Sequence, residues 1–346
     1  MNYNISEIKK YLKNILSIAS PSGFTEEIID YLKKELDNLK VSYQVTNKGA
    51  LLVTLPGENH TNKRVFSAHV DTLGAMVKTI KSSGCLSITP LGGFMMNSIE
   101  GENCLIKTLN GKTYSGTIQT IKPSVHISGD DARNLKRIDE NMEIILDEKV
   151  FSKEDTKSLG IEVGDFVCFD ARTVFTNSGF VKSRHLDDKA SVAILLYTIK
   201  YIKENSIKLP YTTCFYISNY EEVGHGASSS IPSNTKEFIS VDMGAPGLDQ
   251  NSSEYAVCIC AKDSSGPYDL SLRKKLVDLC VKNNIDYKID IYPHYGSDAS
   301  AALRAGWDLK TGLIGTGVFS SHGYERTHMD GITATLDLII KYCQTE

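Results

Sequence analysis

Several side chains in this sequence combine residue types and spacings able to do chemistry on small polar groups. Ser67-Ala68-His69-Val70-Asp71 closes an apolar run, and on extended backbone residues two apart share a face, so His69 and Asp71 point to the same side. Alone, that pair is equally compatible with a hydrogen-bonded surface contact. Glu221-Glu222 closes the run CFYISNY ahead of Gly224, His225 and Gly226. Neighbouring side chains on a strand diverge, so the two glutamates suit different tasks, for example one on a metal and one on a water. His185-Leu186-Asp187-Asp188-Lys189 precedes an apolar helix, where carboxylates face the positive end of the helix dipole. One side chain suffices to cap that helix, which leaves the second aspartate free to bind something else.

Asp242 ends the strand-like run 237–241, and His322 follows the glycine-rich IGTGVFSS. Each of these residues falls at the carboxyl end of a predicted strand or the start of the next helix, which is the rim where open α/β sheets bind ligands. Packing gives no reason for such a gathering. Uncompensated, the acids would repel one another and raise their own pKa values, so cations are expected to neutralise them. Nitrogen and oxygen donors without thiolate suit Zn, Co or Mn better than Ca or an iron–sulfur centre. The other histidines, His60, His126, His185, His225, His294 and His328, lack such positions and are expected to be surface or internally bonded groups. His126 stands somewhat apart, because its segment between Pro123 and Gly129 could reach a neighbouring site.

The elements that must position these groups follow an α/β order. Residues 5–40 carry two amphipathic helical patterns separated by Pro21-Ser22-Gly23, the second opened by Thr25 as N-cap. Strands at 49–55 and 64–70 follow. Between about 75 and 168 the pattern becomes short alternating runs with glycine turns, and Asn110-Gly111 is a hairpin signal. The polar stretch 153–158 reads as a short helix. The chain then returns to alternation: a helix at 188–204, strands TTCFYIS, EFISVD and YAVCICA, a helix at 269–283, strand YKIDIYP, a helix at 298–305, strand LKTGLIGT and a helix at 332–342. The expected fold class is therefore α/β: a mixed sheet flanked by helices, formed by 1–72 and 168–346, with a small β-barrel-like domain inserted at 73–167.

Composition narrows the function classes. The chain has 346 residues, 41% apolar and 23% charged, which fits neither a disordered nor a membrane protein. Its 38 basic against 42 acidic residues leave a net charge of -4, so no nucleic acid or anionic membrane is expected as partner. The amino-terminal stretch lacks a continuous apolar core and small-residue cleavage site, and no signal peptide is expected. Eight cysteines without a CxxC pair read as buried free thiols in a reducing cytoplasm. The Cys258–Cys260 pair shares a face but lacks partner ligands.

Taken together, HVDTLGAMV, TPLGG, VHI at 125–127, LDDK, EEVGHGA, the SVD strand end, GSDASA and SSHGYE resemble, in order and spacing, the tetrahedral dinuclear-metal aminopeptidases, a family that includes glutamyl aminopeptidases and cellulase-M-like proteins. The resemblance spans essentially the whole chain. It implies two divalent ions, Zn or Co with Mn as a further option: His69 and Asp242 on one, Glu222 and His322 on the other, and Asp187 bridging them. Glu221 becomes the general base acting on a water between the ions, and Asp71 orients His69. It further implies hydrolysis of the N-terminal residue of short peptides, and dimerisation through the inserted domain into a hollow dodecamer. Two positions depart from the family pattern. Lys189 stands where Arg follows the aspartate pair, and His225 where many members read Leu-Arg; neither is a ligand position, so the departures bear on pocket shape. Other readings of the same residues are a metal-dependent deacylase or carboxypeptidase, a cellulase-like glycosidase with two carboxyls flanking a sugar bond, and a binding protein retaining the metal site.

Overall fold

The computed structural model describes residues 3–346. Helices α1 (Ile5–Ser17) and α2 (Glu26–Asn38) open it, each burying one apolar stripe. Asn4 caps α1 by accepting from the Glu7 amide at 3.2 Å. Thr25 sits at the N-cap of α2, yet its hydroxyl makes no capping bond; Oγ1 instead accepts from Asn219 Nδ2 at 3.3 Å. A tertiary partner has displaced the local one.

Strands β1 (Tyr43–Val45), β2 (Leu51–Leu55) and β3 (Asn59–His69) follow, the last of them starting earlier than its apolar pattern suggests because its first five residues are polar. The chain then enters six strands: β4 (Gly74–Ile80), β5 (Leu86–Leu91), β6 (Asn103–Lys107), β7 (Thr113–Thr120), β8 (Met142–Leu146) and β9 (Phe166–Phe169). Short helices α3 (Val125–Ser128), α4 (Asp130–Asn134) and α5 (Lys153–Ser158) interrupt them. The six close into an antiparallel barrel, order β4-β5-β8-β7-β6-β9, around Val77, Ile88, Ile106, Ile118, Ile144 and Val167. Alternating one face inward across six paired strands leaves no open edge. The β6–β7 connection is the expected hairpin, with Gly111 at φ +80.

Beyond the barrel come β10 (Val174–Phe175), β11 (Phe180–Ser183), α6 (Leu186–Glu204), β12 (Tyr211–Ser218), β13 (Thr235–Gly244), β14 (Val257–Asp263), β15 (Gly266–Pro267) and α7 (Leu270–Asn283). The chain finishes with β16 (Tyr287–Ile291), α8 (Asp298–Arg304), β17 (Lys310–Gly317), β18 (Glu325–His328) and α9 (Met329–Cys343). A nine-stranded mixed sheet runs β1-β2-β12-β3-β13-β17-β14-β15, with β16 on β14. Its centre, β12-β3-β13-β17, is parallel throughout. The four carboxyl ends therefore lie along one edge. Phe66 and Phe215 face the core shared with α1, α6 and α9, while their neighbours Val65 and Tyr216 face the core beneath α8, so both sheet faces are covered. A separate sheet, β10-β11-β18, escapes sequence reading because strands of two to four residues are too short to show alternation.

Seven of the eight cysteines are buried, Cys85 is half-buried, and all are free thiols. No helix among the described residues is long and apolar enough to cross a membrane.

Candidate metal centre

His69 is the last residue of β3 and is buried. Its Nδ1 faces the Asp71 carbonyl oxygen at 2.9 Å and Asp71 Oδ1 at 3.5 Å. A carbonyl only accepts, so Nδ1 carries the proton and Nε2 presents a lone pair. That Nε2 lies 3.4 Å from Asp187 Oδ1 and 3.6 Å from Glu221 Oε2. Asp71 does more than face the ring. Its carboxylate accepts from Ser22 Oγ at 2.5 Å and from the amides of Glu221 at 3.1 Å and Glu222 at 3.3 Å, fixing the turn that carries both glutamates.

The start of α6 is not an ordinary cap. His185 occupies the N-cap position at φ +67 with no capping bond, Asp187 and Asp188 have non-helical backbone, and the peptide between them is cis. Asp188 Oδ2 accepts from the His69 amide at 3.1 Å, so the second aspartate ties α6 to the end of β3. Asp187 is left facing the rim, with Ser321 Oγ donating to its Oδ2 at 3.1 Å.

His322 lies on the loop after β17 at φ +63. Its Nδ1 meets the Gly93 carbonyl at 2.5 Å, so the loop following β5 of the barrel orients this ring. Its Nε2 is 3.5 Å from Asp187 Oδ2 and 3.5 Å from Glu222 Oε2. Asp242, near the end of β13, uses Oδ1 to accept from the Met243 amide at 2.7 Å. His69, Asp187 and Asp242 each offer one ligand atom, all within 4.8 Å of one another. The structure thus brings His69, Asp71, Asp187, Glu221, Glu222, Asp242 and His322 to one rim.

These residues fit divalent ions. Ligand atoms ~2.0–2.2 Å from a tetrahedral ion stand ~3.3–3.6 Å apart, and the His69–Asp187, His322–Asp187 and His322–Glu222 separations fall in that range. Glu222 Oε1 is buried without a hydrogen-bond partner, a costly state for a carboxylate oxygen unless a cation meets it. The electrostatics agree. Burial, then the charge of Asp187, pushes Glu222 up to about 8 and Asp242 up to about 7. Glu221 is also raised well above the carboxylate range, by burial first and then by Asp242 and Asp298 against the pull of His69. Burial works to raise Asp187 too, but His322 and His69 outweigh it and hold that carboxyl low. Burial opposes charge on His322, yet Asp187 and Glu222 bring it to about 10. The cage wants more positive charge than two histidines supply.

A cavity of about 680 Å³ opens at the rim, with Asp187, Glu221, Glu222, Asp242 and His322 in its lining. Met243, Pro246, Tyr292, Tyr295 and Val318 give it apolar walls, with Gln250, His294 and Arg304 as polar lining. His294 is exposed, as expected of a surface histidine, and also contributes to this wall. Neither departure from the family pattern lines the cavity. Lys189 is fully buried with Nζ donating to the Ile18 carbonyl at 2.5 Å, and His225 is exposed with its ring stacked on Tyr220. Pocket shape is therefore not set by direct contact with either. His126 sits on the exposed helix α3 and does not line the cavity. His185 is buried and held neutral, pushed down to about 3 by burial and then by Lys189 and Arg184.

Glu325 is the residue that sequence reasoning passed over within SSHGYE. It is buried, accepts from the Asp187 amide at 3.1 Å through Oε2 and from the His322 amide at 3.0 Å through Oε1, and so locks two rim residues to one another. Its start-of-strand position in β18 carried no periodic signal.

The profile of the M42 glutamyl aminopeptidase family matches residues 49–338. YhfE of Bacillus subtilis (strain 168), which carries a provisional aminopeptidase name, is 53% identical over 342 residues, covering 99% of each chain. A TET aminopeptidase from a marine sediment thaumarchaeote superposes with a TM-score of 0.89 at 19% identity over 98% of this chain and 97% of that one. TET1 peptidase from Pyrococcus horikoshii gives a TM-score of 0.84 at 24% identity over 97% and 99%. With the rim assembled and a family profile covering most of its length, this chain belongs to the M42 glutamyl aminopeptidases and is a peptide hydrolase.

Proposed function

We propose that this protein is a dinuclear metal-dependent aminopeptidase that releases the N-terminal residue of short peptides. The observation that carries the reading is Asp187, whose Oδ1 addresses His69 while Oδ2 addresses His322, as a carboxylate shared by two ions would. His69 and Asp242 hold one ion, Glu222 and His322 the other. Zn or Co suits the donor set, with Mn as a further option. When bound, such ions polarise the scissile carbonyl and lower the pKa of water toward neutrality.

Glu221 is the general base. It lies within 3.6 Å of His69 Nε2, outside the proposed ligand set, and its raised proton affinity suits a group that takes a proton from the attacking water and passes it to the leaving amine. Asp71 holds His69 and the Glu221 and Glu222 amides. The cavity beside these groups receives the N-terminal side chain.

The inserted segment 73–167 is the dimerisation domain in this reading, and the homo-oligomer builds toward a dodecamer. Support comes from the P. horikoshii TET1 peptidase, which can assemble into a tetrahedron or a large octahedral shell. The test is a panel of aminoacyl chromogenic substrates with free and blocked N-termini, assayed with Zn, Co and Mn after chelation. Activity confined to free N-termini and restored by metal is the expected result; hydrolysis of blocked substrates at comparable rates defeats it in favour of a deacylase.

A further inference from the structure

Glu221 and Glu222 sit on a loop between Ser218, the last residue of β12, and Ala227. Holding a general base to a fraction of an ångström on a loop requires more than its two ends. The Asp71 carboxylate meets the loop at the Glu221 and Glu222 amides, and Lys48 Nζ donates to the carbonyls of His225 at 2.5 Å and Gly226 at 2.7 Å. A third group lies underneath. Asp298, the first residue of α8, is 1% exposed; its Oδ2 accepts from Ser218 Oγ at 2.5 Å and its Oδ1 from the Ala227 amide at 2.9 Å.

We propose that Asp298 is a positioning residue for the reaction, clasping the two ends of the Ser218–Ala227 loop so that the Glu221 carboxylate is held against the rim. This rests on the general-base reading of Glu221. The fit at Gly226 shows how tight the clasp is. A Cβ there would lie 2.1 Å from Asp298 Oδ1 and 3.2 Å from both Cα and Cβ of Glu221, so the loop passes between the two acids with room only for hydrogen. Both Asp298 oxygens are taken by protein donors, which separates its task from metal ligation. A carboxylate suits the position because two donors converge on it, and because it lies at the start of α8, where the Ser297–Ser300 capping box orders the turn. An asparagine can still accept from Ala227 through one oxygen, but its amide nitrogen cannot accept from Ser218.

The test is a double-mutant cycle on the full-length, metal-loaded protein: Asp298→Asn and Asp298→Ala, each alone and with Glu221→Gln, reading kcat, KM and bound metal. Asp298→Asn is expected to lower kcat about 10–100-fold, the range for groups that orient catalytic side chains, with KM and metal content near wild type. Added to Glu221→Gln it is expected to cost less than about twofold, because its effect passes through a base already removed. Wild-type kcat in Asp298→Asn, the same loss in both backgrounds, or metal lost in step with kcat overturns the assignment. Should Asp298→Ala fail to fold, the near-isosteric Asp298→Asn decides. Near-normal turnover in Glu221→Gln alone overturns the general-base reading, whereas a normal Asp298→Asn beside an impaired Glu221→Gln overturns only the role given to Asp298.

Discussion

Acids of the barrel and acids of the sheet rim are solved in opposite ways. On the barrel and its short helices, Asp131 pairs with Lys122 at 2.6 Å, Asp130 with Arg133 at 2.7 Å and Glu143 with Lys81 at 2.8 Å, each with a partly or largely exposed partner. At the rim, Asp187 and Asp242 are buried and the Glu222 side chain is nearly so; among the described residues Asp187 pairs with His69 and His322, Glu222 with His322, and none of the three with a lysine or arginine. Water and a neighbouring lysine satisfy a surface acid at little net gain, whereas a buried acid without a lysine or arginine needs hydrogen-bond donors on its oxygens, as Asp298 has, or else a proton or an external ion. Acid count alone distinguishes nothing. Burial with no lysine or arginine, and with Glu222 Oε1 left without any donor, is what marks the rim.

The largest test of this contrast is Asp187→Ala, which removes the carboxylate between both histidines. Bound metal per chain is expected to fall and turnover to drop by more than in any other single rim variant; two tightly retained ions would show that Asp187 is no bridge. Next, Glu221→Gln is expected to keep its metal and lose about 10²–10⁴-fold in kcat, the usual contribution of a positioned base. A smaller effect follows at Glu325→Gln, where one of two backbone amides loses its acceptor. Metal affinity is expected to weaken about 10–100-fold, measured by competition with a chelating dye.

Titration separates the two regions as well. Glu222 at about 8 and Asp242 at about 7 bind protons more tightly in the folded, metal-free chain than in the unfolded one. Their stabilising contribution is complete below the ordinary carboxylate range near pH 4 and is lost as pH climbs to about 8. A metal held by these carboxylates, as proposed, would have to displace those protons, so its stabilisation would grow over the same window. The gap in melting temperature between metal-loaded and chelated protein is therefore expected to widen from pH 5 to pH 8, and a gap that narrows would count against buried acids as ligands. At the small end, Lys122→Ala should leave melting temperature and activity unchanged, because its partner Asp131 is largely exposed.

Much of this was legible in the chain. Placement of His69 at the end of β3 and of Asp242 near the end of β13 follows from apolar runs that stop where polar residues begin, and the barrel follows from alternation with glycine turns; Glu221 and Glu222, read as closing a strand, instead lie on the turn after β12, which ends at Ser218. Other features were invisible for definite reasons. Thr25 reads as a cap by type, but a bond to Asn219, 194 residues away, wins. Asp188 reads as a spare acid, but it serves the His69 amide 119 residues earlier. Glu325 and Asp298 look like ordinary polar residues until the amides they serve are known.

The order of residues by itself determined which chemistry was available: histidine and carboxylate donors without thiolate, set at the ends of strands that must be buried on both faces. Tertiary structure decided which donors meet. His322 finds its orientation from Gly93, 229 residues away on a barrel loop, and Asp187 gains its place from Glu325 at the far end of the chain. Periodicity reports which face a residue takes along its own element, but contacts between elements depend on strand order and loop path, which no local pattern encodes.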